Sequence, residues 1–297
     1  MGKISSALFS LVRTALHLFY RNTATFASAE NGKSLLWEIS GNNLKYPSYY
    51  LGTMHVMCAE DAELSANVKL LIQKVGQVYM EVDLNAIDQL LPGFLEVDGN
   101  SGNSLDSSLS EDDYLKVKVF FEKYQQAIPF SVIEKQPPLM ISSAIYELLL
   151  ECEQKTGIEM NILQEASAAG KAIFGLETIE MQKNILNRIP YQEQADDLVK
   201  MVDNLEKYRD RMEEMVSAYK EQDIEKLYNL SESDAGVASD YLDLLLFDRN
   251  RNWVNLFSSI AEKTTTLFAV GAGHLGGQNG VLNLLKNEGY TIRPLEN

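Results

Sequence analysis

Apolar runs of two periods divide the chain into strands and helices. "LLWEIS" and "SYYLGT" are short, β-prone and separated by "GNNLKYP", whose Gly, Asn and Pro favour a turn, so a hairpin is predicted. In "AELSANVKLLIQKV", Leu64, Val68, Leu71, Ile72 and Val75 recur at helical spacing, and "GQVYMEVDL" follows as a strand. Within that strand Val78, Met80 and Val82 share one face while Tyr79, Glu81 and Asp83 share the other, so the carboxylates emerge together. From Leu84 to Gly170 the pattern is mostly helical, broken by a polar loop around "EVDGNSGNSLDSS"; Ser110 and Asp113 form a capping pair for "EDDYLKVKVFFEKYQQA". "KAIFGLE" predicts a buried strand ending at Glu177, with Thr178 opening the next helix. Residues 191 to 262 are almost continuously helical and amphipathic without a sustained heptad, which describes a solvated helical subdomain rather than a coiled coil. Strand "TTLFAV", a Gly-rich turn, helix "NGVLNLLKN" and strand "YTIRPL" close the chain as a βαβ unit with a short crossover. The fold class is therefore α/β, a central mixed β-sheet covered by helices with a large helical insertion.

Composition narrows the partners. Against 42 acidic residues stand 26 basic ones, a net charge of −16, which repels phosphate backbones and excludes nucleic acid as a general partner. The two cysteines, Cys58 and Cys152, are too few for a disulfide framework and lack C-x-x-C spacing, so they read as two buried thiols rather than one disulfide. Four Cys/His ligands for a structural zinc site cannot be assembled.

Residues 1 to 29 carry Lys3, Arg13 and Arg21 and no acid, a presequence composition. Ala27-Ser28-Ala29 obeys the small-x-small rule of a signal-peptidase site, which would make the protein extracytoplasmic, periplasmic or secreted. Arg13 and His17 interrupt the apolar run, as an organelle transit peptide would allow. Residues 30 to 297 read as a single domain, and any membrane association would come through the N-terminal segment if it is retained. Nothing in the sequence sets the oligomeric state.

Gly271, Gly273 and Gly276 spell G-x-G-x-x-G between a strand and a helix, the local form of a dinucleotide turn. Too little chain follows to complete such a site. The histidines give a different reading. Of three in the chain, two stand in G-x-x-H at predicted strand ends: His55 in "LGTMH" and His274 in "VGAGH". A glycine there lets the chain turn while the imidazole projects above the sheet edge, where α/β proteins bind ligands. Glu81 and Glu177 also fall at strand ends. Two histidines and a carboxylate with an open position make a metal site, with a second carboxylate as general base and Asp83 able to support or replace Glu81. Arg249, in "RNRNW", is placed to stabilise an oxyanion or pin a carboxylate.

Taken together, "YYLGTMHV", "GQVYMEVDL", "GIEMNILQEASAAGKAIFGLETIEMQ", "RNRNW" and "LFAVGAGHLGGQNG" resemble, in order, the motifs of the TraB/GumN family, which includes the Tiki metalloproteases. The resemblance implies an erythromycin esterase/ChaN-like fold and a metal-dependent hydrolase, a peptidase acting on a peptide or protein. It favours Mn or Co as the divalent metal, with Zn also compatible. His55, Glu81 and His274 would be the metal ligands, with Glu177 as partner carboxylate and Arg249 and Asn250 nearby. Glu159 stands where an Asp is expected and receives no role. A non-catalytic member that sequesters a peptide signal in the same cleft is the alternative.

Overall fold

The computed structural model describes residues 26–29, 32–84, 104–124, 129–233 and 236–297. Most of the presequence and of the polar loop lies outside the described residues. The hairpin forms as expected: β1 (Leu36–Gly41) and β2 (Ser48–Thr53) pair antiparallel, with Leu36 opposite Leu51, and Asn42 and Asn43 supply the positive φ values of the turn. β3 (Met57–Cys58) leaves the main sheet to pair with β5 (Lys155–Thr156). The remaining strands are β4 (Gln77–Val82), β6 (Ala172–Glu177), β7 (Thr266–Gly271) and β8 (Tyr290–Pro294), and the six-stranded sheet has the order β6-β4-β7-β2-β1-β8.

Four neighbouring strands, β6, β4, β7 and β2, run parallel, so their C-terminal ends share one sheet edge. Val82 pairs with Glu177 and Thr53 with Gly271 at that edge. β1 and β8 turn against this direction and back again. The closing β-helix-β unit is therefore parallel, but its strands are not neighbours: β8 pairs with β1, two strands beyond β7.

The helices are α1 (Ala66–Lys74), α2 (Leu105–Ser108), α3 (Glu111–Tyr124), α4 (Phe130–Ile133), α5 (Pro138–Leu149), α6 (Ile158–Ala168), α7 (Ile179–Leu186), α8 (Tyr191–Asp203), α9 (Leu205–Lys220), α10 (Ile224–Glu232), α11 (Val237–Asp240), α12 (Asp248–Ala261) and α13 (Val281–Asn287). Asp113 N–H donates to Ser110 Oγ and Met181 N–H to Thr178 Oγ1, the two caps expected from sequence.

Among the described residues two large apolar cores form, beside a small cluster of Ile189, Val237 and Leu244. Tyr50, Val78 and Phe268 of the sheet pack with Ile72 of α1, Ile162 of α6, and Trp253 and Phe257 of α12. Phe121 of α3, Ile145 of α5 and Leu198 of α8 build the second. The helical run at 191 to 262 is therefore shared between the two. Its first helix joins residues 105–149, while α12 belongs to the sheet. Residues 26–29, within the segment read as a presequence, also pack on the body: Phe26 enters the sheet core and Ala29 N–H donates to Pro294 O.

Cys58 and Cys152 are joined, with Cα atoms 5.9 Å apart. This corrects the expectation of two free thiols. Spacing 94 residues apart carries no local signal, and the β3–β5 pairing that brings them together is long-range.

Candidate active site

The two histidines and two glutamates leave the same sheet edge. His55 follows β2, Glu81 is the penultimate residue of β4, Glu177 ends β6, and His274 closes a short 3-10 turn (Ala272–His274) after β7. Arg249 enters from the start of α12, just after a π-helical turn (Asp243–Phe247) whose Leu245 carbonyl accepts from Arg249 Nη1 at 3.0 Å.

The G-x-x-H glycines supply space rather than a turn. Neither has a positive φ. A Cβ on Gly52 would meet Leu275 Cδ1 at 2.8 Å and Ala272 Cβ at 3.1 Å, so the first motif is pressed against the second. A Cβ on Gly271 would stand 3.3 Å from Glu81 Oε1, 3.5 Å from His274 Cδ2 and 3.6 Å from His55 Nε2. The two histidines and Glu81 thus face one gap that a methyl group would fill. The dinucleotide reading ends in the same region, because a Cβ on Gly276 would meet Ile224 O at 2.7 Å, and α10 covers the turn where a phosphate would need to lie.

Each imidazole is fixed through Nδ1. Asn250 Nδ2 donates to the carbonyls of Asn279 (2.8 Å) and His274 (3.4 Å), which turns its Oδ1 toward His274 Nδ1 at 2.6 Å. The His274 proton therefore sits on Nδ1 and the lone pair on Nε2. Burial, with Arg249 and His55 adding to it against the pull of Glu81, lowers the pKa of His274 to about 3, so the ring is neutral. His55 Nδ1 lies 2.6 Å from Glu159 Oε1. The ring of His55 is open to the cleft, its side chain 70% exposed. Enclosure by the cleft opposes its charge, but the hydrogen bond and charge of Glu159, with Glu81 beyond, raise it to about 9.

Arg249 joins the carboxylates. Its Nε donates to both oxygens of Glu177 (3.1 and 3.0 Å), its Nη2 to Glu81 Oε2 (2.5 Å), and its Nη1 lies 3.3 Å from His274 Nε2. Trp253 Nε1 completes Glu177 at 3.0 Å, and the Trp253 ring lies under the guanidinium, 4.8 Å from Cζ. Glu81 Oε1 accepts from Gly271 N–H at 2.8 Å and stands 3.7 Å from His274 Nε2. Burial opposes ionisation of Glu81, yet His274, Arg249, His55 and that N–H hold its carboxyl well below the usual range. With His274 neutral, the guanidinium carries most of this.

His55, Glu81, Glu177, Arg249 and His274 are thus brought together, and Arg249 pins carboxylates, one of its two expected uses. Glu177, its side chain 3% exposed, accepts from Arg249 at both oxygens, from Trp253 at Oε1 and from Gln182 at Oε2 (3.3 Å), and so anchors the arginine. Sequence reasoning left Glu159 without a role. The structure brings it from the first turn of α6 to His55, and Gly157 lets the chain approach closely, since a Cβ there would meet His55 O at 2.5 Å.

By donor type, two imidazole nitrogens and a carboxylate, each imidazole oriented by an acceptor on its other nitrogen, fit a borderline divalent ion. Among the described residues, no three His, Cys, Asp or Glu side chains are grouped closely enough to hold one. Arg249 supplies the positive charge beside Glu81 in this arrangement.

The chain is 22% identical over 326 aligned positions to "Metalloprotease TIKI2" of Danio rerio, covering 89% of this chain and 61% of that protein. It is 22% identical over 328 positions to "Metalloprotease TIKI2" of Xenopus tropicalis, covering 89% and 60%. A stretch of 77 residues is 34% identical to "Metalloprotease TIKI homolog" of Amphimedon queenslandica, 24% of this chain and 15% of that protein. The chain spans about three fifths of the length of the two TIKI2 relatives. No solved structure matches it significantly. Residues 35–294, which carry every strand of the sheet and every candidate residue, match the TraB/PrgY/gumN family, and the chain belongs to that family.

Proposed function

We propose that this protein is a metal-dependent hydrolase that cleaves peptides at the edge of β2, β4 and β7. The observation that carries the reading is the convergence of His55 Nε2, Glu81 Oε1 and the His274 ring on the gap left by Gly271, with Nδ1 of each ring already held. A divalent ion taken up by His55, His274 and Glu81, Mn or Co by family resemblance and Zn by donor type, would supply a water of lowered pKa and polarise the scissile carbonyl. His274 enters neutral, its Nε2 lone pair facing Arg249 Nη1 at 3.3 Å, whereas His55, its pKa raised to about 9 by Glu159, would give up its Nε2 proton to take the ion. Arg249 stands beside the reacting centre with two N–H groups near Glu81 and His274, a position suited to negative charge developing on the carbonyl oxygen. Glu177 and Trp253 hold that guanidinium in place, and we assign Glu177 this anchoring part.

The Cys58–Cys152 disulfide supports an oxidising, extracytoplasmic setting. The names of the TIKI relatives support a protease over other hydrolases. The test is elemental analysis of the purified protein, followed by cleavage of a peptide library with and without chelator. Cleavage that stops with chelator, returns with Mn or Co, and is lost in both His55→Ala and His274→Ala is expected. Unchanged cleavage in the two variants overturns the assignment; saturable peptide binding without turnover under any divalent ion favours the sequestering alternative.

A further inference from the structure

Above the histidines lies a cleft of about 470 Å³, walled on one side by the sheet edge and on the other by α5, α9, α10 and the π turn. Its wall is apolar and accessible: Tyr146, Met215, Leu230, Leu242, Leu245 and Leu246 all face it while only half-buried. Met201 and Met212, both buried, also line it. Its floor is the opposite in character, made by His55, Arg249, Gly271 and His274. Leu245 and Leu246 stand one helical turn before Arg249, so wall and floor are built on the same stretch of chain and a molecule touching one reaches the other.

Two chemistries must therefore meet in one occupant: a polar, cleavable backbone at the floor and apolar side chains next to it. A chain of sugars or nucleotides offers no such side chains. A free lipid offers no amide. An acidic peptide is disfavoured by the protein's net charge of −16. Methionine suits a wall that accepts side chains of several shapes, because its unbranched thioether repacks readily.

Resting on the hydrolase reading, we infer that the substrates are peptide segments bearing Leu, Met or Phe-like side chains beside the scissile bond, and that Met215 and Leu246 are specificity-determining residues touching those side chains. One hydrophobic pocket contact of this size discriminates by about 10-fold or more.

Two labelled peptides, identical except for Leu-Met or Ser-Gly flanking the central bond, would be titrated against metal-stripped full-length protein and also offered to the metal-loaded protein. The apolar peptide is expected to bind about 10-fold tighter. Met215→Glu and Leu246→Glu should erase the difference, and where either fails to fold, Met215→Ala and Leu246→Ala should narrow it. Equal affinities for the two peptides, or a preference untouched by the folded variants, overturn the inference even if cleavage proceeds. Selective binding without cleavage of either peptide under any divalent ion upholds it and overturns the hydrolase reading instead.

Discussion

Glu159 Oε1 stands 2.6 Å from Nδ1 of His55 and 2.6 Å from Oγ1 of Thr53, so one carboxylate oxygen ties the end of β2 to the imidazole that follows it. Burial opposes this carboxylate's charge, but the two donors keep its pKa below the ordinary value. Removing such a partner from a ligating histidine costs about 10- to 100-fold in metal affinity or activity. Glu159→Ala is expected to lose kcat/KM in that range and Glu159→Asp to retain more, measured on the metal-loaded protein with metal affinity from chelator competition. Wild-type kcat/KM in Glu159→Ala would remove the residue from the site.

Strand ends were legible in the sequence because burial and turn formers mark them, and the four strand-end residues His55, Glu81, Glu177 and His274 follow from that alone. Glu159 was not. It lies on a helix 104 residues after His55, brought near by the two-residue pairing of β5 with β3 and by Ile158 N–H donating to Met54 O, contacts with no local sequence signal. The disulfide was hidden for the same reason. The glycines of the two motifs were correctly singled out but for a backbone reason, whereas Gly52 and Gly271 are needed for the space their missing Cβ leaves. β8 was recognised as a strand, yet its place beside β1 depends on pairing that a local pattern does not encode.

Gly271 offers a substitution that tests the centre without disturbing the fold. Its φ of −50° and ψ of 135° are ordinary for alanine. The added methyl would stand between Glu81, His274 and His55. Gly271→Ala is expected to cost stability by about 1–3 kcal/mol at most while abolishing metal uptake and peptide cleavage. Thermal melting and elemental analysis read the two effects separately, and full metal occupancy in the variant would contradict the gap as the binding position.

Arg249 is buried between two carboxylates, with side-chain exposures of 11% for itself, 13% for Glu81 and 3% for Glu177. Deleting one member of a buried ion cluster leaves the others uncompensated, at a cost of about 3–5 kcal/mol. Arg249→Met should lose stability in that range by urea unfolding of metal-free protein. Adding Glu177→Gln should recover part of it. Arg249→Lys keeps the charge but cannot reach Glu177, Glu81 and Leu245 O together, and should fall between wild type and Arg249→Met. A double variant no more stable than Arg249→Met would show that the carboxylates do not depend on the guanidinium.

The Cys58–Cys152 bond closes a long loop, from β3 three residues after His55 to the segment leading into β5 and Glu159. Loops of this length stabilise by about 2–5 kcal/mol when cross-linked. Reductant, or the Cys58→Ser/Cys152→Ser pair, should lower the urea midpoint accordingly and reduce kcat/KM, since β3 and β5 carry His55 and Glu159 toward each other. Reoxidation should restore both for wild type only. Activity indifferent to the bond would mean that the β3–β5 ladder suffices to hold the pair.

His274 sets a pH dependence whose sign follows from its burial. Its folded pKa of about 3 lies below the ordinary histidine value of 6.5, so the unfolded chain binds a proton more readily than the folded one. The stability this contributes is complete above about pH 6.5 and is lost progressively as pH falls from there toward 3. Metal-free protein should therefore melt at steadily lower temperature through that window. His274→Gln, which cannot take up the proton, should flatten this limb while leaving the carboxylate-driven loss below about pH 4.5 in place, because Glu81 titrates in the opposite sense to a raised base and needs its charge to hold Arg249. Melting curves of the two proteins at matched ionic strength make the comparison. An acid limb as steep in His274→Gln as in wild type would show that the ring takes up its proton as readily in the fold as in the unfolded chain, and burial would not be what keeps its Nε2 lone pair available.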